Sequence, residues 1–200
     1  MSSSDERSGP GKQRSGNDAG QRLLAAARAT FAELGYESAT VRTIAARAGV
    51  DPAMVNHRFG GKEHLFTAAM AIPVDPAEVL PGLLGGDPQQ LAERLLRLFL
   101  EVWDGAGGGR FAALVRSASS NESAARMLRE FVQDVVFRRV TEHLGVDHPE
   151  LRTALCATQV VGLGMARYIV RLEPLASADH DTVVRTVAPN LQHYLTGDLG

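Results

Sequence analysis

Between Thr40 and Phe66 the chain reads TVRTIAARAGVDPAMVNHRFGGKEHLF, and the opening of that stretch leaves little choice of conformation. Val41, Ile44, Ala45 and Ala48 recur at i, i+3, i+4 and i+7, which is one face of a helix only two turns long. Thr40 stands where an N-cap hydroxyl is needed, and Gly49 stands where the helix needs a left-handed stop. A third helix begins at once. Asp51 can cap it, and Pro52 occupies the first helical position, where a missing N–H costs nothing.

A helix pair held at a fixed angle needs a small residue at the crossing, a turn that permits positive φ, and a second helix whose outward side chains are free. Ala45, Gly49 and residues 52–59 meet these needs in that order. Val55 and Phe59 point inward, while Ala53, Met54, Asn56, His57 and Arg58 lie off that face. Asn and Arg can form bidentate hydrogen bonds to adenine and guanine edges, and a small Ala or a Met can touch a thymine methyl. Arg42 and Thr43 on the preceding helix, and Lys62 at the start of the following one, are within reach of a phosphate backbone.

The first helix is expected from Asp18, with Gln21 reaching back to complete the cap and Leu24, Ala27, Phe31 and Leu34 on one face until Gly35 ends it. Residues 1–17 hold almost nothing apolar and read as a flexible tail, whose Arg7, Lys12 and Arg14 either touch DNA phosphates or, the favoured reading, are simply solvated. A fourth helix runs from Lys62 through Leu65, Phe66 and Ala69 to about Ile72. Pro73, Pro76, Pro81 and the Gly85-Gly86 pair then break regular structure into a hinge or a short broken helix. That break marks the boundary between a head at 18–72 and a body at 73–200.

In the body, Asp87-Pro88 starts a helix whose apolar face carries Leu91, Leu95, Leu98, Phe99, Val102 and Trp103. Further helices are expected over 110–119 and 121–143, then 149–172, which is apolar nearly all round, and 178–195. No alternating run is long enough for a sheet. The class is therefore all-α, with about nine helices in a helix-turn-helix head and a helical body.

Charge follows the same division. Residues 1–66 hold nine Lys/Arg against seven Asp/Glu and the remainder twelve against sixteen, the sign expected of a nucleic-acid-binding head on an acidic body. The single cysteine, Cys156, forms no intramolecular disulfide and fits a reducing cytoplasm. No signal peptide is visible, and the uncharged run 153–166 is too short to span a bilayer, so no membrane partner is expected.

AARATFAELGYESATVRTIAARAGV, then DPAMVNHR, then FGGKEHLF closely resembles the DNA-binding domain of the TetR family of bacterial transcriptional repressors. That resemblance implies that Thr40, Arg42 and Thr43 position the second helix on phosphates, that Pro52, Ala53, Met54 and His57 face the major groove, and that Lys62 holds a phosphate. Asn56 stands where the family often has a phosphate-binding tyrosine, and Arg58 where it often has histidine, so the contact map at these two positions departs from the family's.

The resemblance also implies a body that binds a small-molecule inducer and forms a homodimer on a palindromic operator in double-stranded DNA. The sequence has its own reasons for both. An all-round apolar helix must be covered on both sides, so a seam across a two-fold axis is expected from Val161, Gly164, Met165 and Tyr168 together with Val187, Leu191 and Tyr194 of the last helix. Phe99, Trp103, Phe111, Met127 and Phe131 are candidates for a ligand cavity, with Arg116 or Arg167 as polar anchor, although such stripes also build ordinary cores.

No catalytic, cofactor or metal site is expected. Gly105 to Gly109 follows no strand and lacks a Lys-Ser/Thr partner, Cys156 has no acid-base partner nearby, and no His pair has metal-ligand spacing. The rival reading is a helical carrier or enzyme whose head has stopped binding DNA.

Overall fold

The computed structural model describes the backbone of residues 11–105 and 108–200, with side chains from Asp18 onward. The part of the expected tail before Gly11 lies outside the described residues, as do the side chains of Lys12 and Arg14. From Gly11 the backbone is already helical, ahead of the expected start at Asp18. Among the described residues there are ten helical runs and no strand. The chain divides into two compact units, Met1–Ala69 and Met70–Gly200.

The first unit is built from α1 (Gly11–Ser38), which breaks at Gly35 (φ 76°, ψ 172°) where the sequence places its end, α2 (Val41–Ala48), α3 (Ala53–Phe59) and α4 (Lys62–Met70). Its core places Leu23, Ala27 and Phe31 of α1 against Ile44, Ala45, Val55, Leu65 and Phe66, all with no exposed surface. Leu34, expected on the inner face, is 47% exposed, and Leu23 occupies the core instead. Helical spacing admits either set, and only packing against α2 and α4 chooses between them. Phe31 meets Phe66 edge-on at 4.7 Å, and Tyr36 lies 4.8 Å from Phe66, closing the core at the end of α1.

The second unit holds α5 (Pro76–Leu84), α6 (Leu91–Gly105), α7 (Gly109–Ser120), α8 (Glu122–Glu130), α9 (Arg138–Leu144), α10 (Pro149–Gly164) and α11 (His180–Thr196). A π-helical segment, Phe131–Phe137, joins α8 to α9, and a second, Met165–Val170, prolongs α10. The proline-rich connection forms a true short helix, α5, because Asp75 caps it by accepting from the Ala77 N–H at 3.0 Å and Pro76 sits in its first turn. Leu96, Leu100, Val140, Cys156, Val183 and Leu191 make a continuous core with no exposed surface beyond 0%.

Two residues expected at an intersubunit seam belong to this interior. Leu191 is fully buried in the subunit's own core. Gly164 is covered by Phe111, whose Cζ would lie 2.1 Å from a Cβ added there. The all-round apolar helix also runs further than the uncharged stretch suggested. Pro149–Val170 is by length and composition long enough to cross a membrane, contrary to the expectation from 153–166. Both of its arginines are nevertheless tied into the body.

The Arg152 side chain is 3% exposed and donates to the Asp147 carboxylate at 2.9 Å, to Tyr194 O at 2.9 Å and to Gly197 O at 2.8 Å. Arg167 is 8% exposed and bridges Asp104 at 2.8 and 3.2 Å while also donating to Leu175 O and Ala178 O. His180 Nε2 stands 2.7 Å from the same Asp104 carboxylate. Burial pushes the Asp104 carboxyl up, but the hydrogen bonds from Arg167 and His180 outweigh it and hold the pKa at about 2, below the ordinary 3.8.

Folding lowers this pKa, so the contribution of Asp104 is complete above pH 3.8 and drains away as the pH falls towards 2. Asp104→Asn is expected to lower stability by roughly 3 kcal/mol at pH 7, because a buried guanidinium loses its charge partner. In urea denaturation the difference from the parent protein should shrink below about pH 4. Gly164→Ala should cost about 1–3 kcal/mol, read as a lower Tm, because Phe111 must leave its position.

Candidate nucleic-acid interface

The paired helices are set by local hydrogen bonds before any tertiary contact is counted. Thr40 Oγ1 accepts from the Thr43 N–H at 3.0 Å and lies 2.8 Å from Thr43 Oγ1, so both hydroxyls are engaged in starting α2. Gly49 closes α2 at φ 67°, with its N–H bonded to Ala46 O and that of Val50 to Ala45 O. Asp51 Oδ1 accepts from the Ala53 N–H at 2.7 Å, which turns its charge onto its own helix. Ala45 is fully buried where α2 meets its neighbours.

This geometry leaves the outer side of α3 to solvent. Pro52, Ala53, Asn56 and His57 are exposed, Met54 is half-buried, and Val55 is buried beneath them. Ala53, Asn56 and His57 share one face by their spacing. That face offers an amide, an imidazole and a methyl, a set able to read base edges. Arg42 and Thr43 are exposed on α2.

Two expected contacts are held differently. The Arg58 guanidinium lies along α1 close to Gly20 while the residue stays exposed to solvent. Lys62 Nζ donates to Glu37 O at 3.1 Å and sits 4.5 Å over the Tyr36 ring. The ammonium thereby covers the end of α1, a position from which it adds positive charge to the surface around the paired helices. Sequence reasoning missed Gly20, Tyr36 and Glu37 as partners of these cations. It also missed the Arg47–Glu33 pair, two parallel bonds of 2.7 Å that lock α2 to α1, because partners this far apart in sequence leave no periodic trace.

In the second unit, Phe99, Trp103, Phe111 and Phe131 line one apolar cavity of about 140 Å³, as expected of them. Met127 is buried but faces elsewhere, Arg116 is exposed on α7, and Arg167 is committed to Asp104 and two carbonyls, so none of the three joins the wall. Val161, expected at the seam, lines the cavity instead. Met165, Tyr168, Val187 and Tyr194 are half-buried. Burial pushes the Cys156 thiol up to about 12, which removes it as a nucleophile at neutral pH. Among the described residues no group of three or more His, Cys, Asp or Glu is placed to hold a metal.

Residues 23–69 match the family profile described as bacterial regulatory proteins, tetR family, and residues 89–195 match that of the tetracyclin repressor-like C-terminal domain. An uncharacterized HTH-type transcriptional regulator of Mycobacterium tuberculosis is 30% identical over 125 residues, 62% of this chain and 59% of the relative. This chain thus spans about three fifths of the length of that relative. The transcriptional repressor AcnR of Corynebacterium glutamicum is 48% identical over 48 residues, 24% of this chain and 26% of its own. A TetR-family regulator from Streptomyces coelicolor of known structure is 34% identical, with 95% of this chain and 99% of that chain covered and a TM-score of 0.46. With its head and body each matched by a profile of the same group, the chain belongs to the TetR family of bacterial transcriptional regulators.

Proposed function

We propose that this regulator is a homodimeric repressor that binds a palindromic operator in double-stranded DNA and is released from it by a small-molecule inducer in the cytoplasm. The observation that carries the DNA half of this reading is the exposed face of α3, with Ala53, Asn56 and His57 on a helix whose start, stop and inner side are all held. Pro52 and Met54 border that face, and Thr40, Arg42 and Thr43 seat it on the phosphates, with Lys62 adding positive charge beside them. The likeness of the head to a repressor supports repression rather than activation. The homodimer rests on Pro149–Val170, an apolar helix of which only a minor part is buried within one subunit. Met165, Tyr168, Val187 and Tyr194 supply half-buried surface for a second copy to cover. Two-fold related heads call for half-sites on a palindrome. The inducer occupies the apolar cavity and shifts the population away from DNA-competent arrangements.

Fluorescence anisotropy on DNA from upstream of the protein's own gene tests this directly. Binding should weaken steeply with salt, and no binding at low salt would sink the reading. Asn56→Ala and His57→Ala should each lower affinity about 5–150-fold and relax preference at their own base pairs. Arg42→Ala should weaken all sequences alike and flatten the salt slope by about one unit. In sedimentation at micromolar concentration the protein should be a dimer, and a monomer there would remove the two-fold arrangement.

A further inference from the structure

We propose that the body cavity selects neutral hydrocarbons of single-ring size and rejects ligands that carry a charge. The inference rests on the reading of this cavity as the inducer site, and it names the chemical class that the site takes. Every described side chain in its wall is apolar except Trp103, whose indole N–H is a donor with no acceptor capacity. Bringing a carboxylate or an ammonium into such a wall strips its hydration and returns no partner.

No charged side chain is among the described residues of the wall, and the carboxylate that follows Trp103 is already engaged. Asp104, next to Trp103, is taken up by Arg167 and His180. Arg167 in turn directs its remaining bonds to Leu175 O and Ala178 O. Asp104 and Arg167 therefore satisfy each other and two backbone carbonyls rather than a ligand.

Size is set with similar firmness. The cavity of about 140 Å³ is close to the roughly 150 Å³ in which an apolar protein cavity stays dry and accepts a benzene. Its aromatic wall cannot readily give way. Phe111 meets Trp103 edge-on at 5.1 Å and Phe99 at 5.9 Å, and its far edge is seated on Gly164, where no other residue leaves it room. A substituted benzene matches this volume, and a fused bicyclic ring fills it more tightly.

Trp103 is the protein's one tryptophan and lines the cavity, so its emission reports occupancy directly. The full-length protein is titrated with toluene and ethylbenzene, and in parallel with benzoate, octanoate and naphthalene. Toluene and ethylbenzene near aqueous saturation should alter Trp103 emission and raise Tm by about 2–5 °C, while benzoate and octanoate leave both unchanged and naphthalene changes them less. Val102→Phe, which fills the cavity, should abolish the response to ethylbenzene. Phe111→Leu, which enlarges it, should strengthen the response to naphthalene and serves where the filled variant does not fold. Equal responses to benzoate or octanoate, or none to either neutral ring, would overturn the inference. Operator release separates it from the reading beneath it. Ethylbenzene that binds without releasing DNA refutes induction through this cavity and leaves the ligand class standing. Benzoate that binds and releases DNA does the reverse.

Discussion

Among the described residues each helix ends with backbone carbonyls that no further turn can satisfy, and with no strand present no sheet edge is at hand to donate to them. The chain meets that constraint repeatedly with one device, a long cationic side chain from elsewhere laid onto the carbonyls of a helix end. Arg28 donates to Ala69 O near the end of α4, and Lys62 to Glu37 O at the end of α1. Arg94 donates to Leu83 O of α5, and Arg152 to Tyr194 O and Gly197 O at the end of α11. The partial negative charge at a helix C-terminus makes a cation the favoured partner, and the aliphatic stem packs over the apolar surface on the way. These ties fix helix order and angle within each unit more specifically than apolar burial does, because burial is non-directional.

The same economy governs the head. A basic side chain near a DNA-reading helix invites assignment to DNA, yet Lys62 covers a carbonyl and an aromatic ring and Arg58 lies along α1 at Gly20. What α3 leaves outward is Ala53, Asn56 and His57, with Arg58 exposed beside them along α1. Base edges are read by groups with fixed geometry on a rigid support, and the cations here contribute mainly to that support. In the body the pattern recurs with different consequences. Asp104 and Arg167 satisfy each other beside the cavity, so its wall remains apolar, and its preference follows from polar groups being occupied elsewhere.

Legibility in the sequence tracked the range of the interaction. The caps at Thr40 and Asp51, and the stop at Gly49, are contacts within a few residues and could be read directly. Four of the five expected cavity residues line one wall, because helical periodicity brings Phe99 and Trp103 to one face of α6. Periodicity is silent on which neighbour covers a face. Hence Leu34 and Leu23 were exchanged in the head, Met127 and Val161 were assigned to the wrong surfaces, and Leu191 and Gly164 were placed on a seam while they are buried within the subunit.

By itself the sequence determined the helical class and the paired-helix head with its caps and turn. These follow from steric and hydrogen-bonding rules that act over one or two turns. Only the tertiary structure decided where the long cations end, which apolar residues close the core and which bound a cavity, and how two charges beside Trp103 come to cancel. A guanidinium reaches across a helix diameter and donates to a carbonyl from any part of the chain, so its partner is chosen by the packing of whole helices and leaves no mark on local sequence.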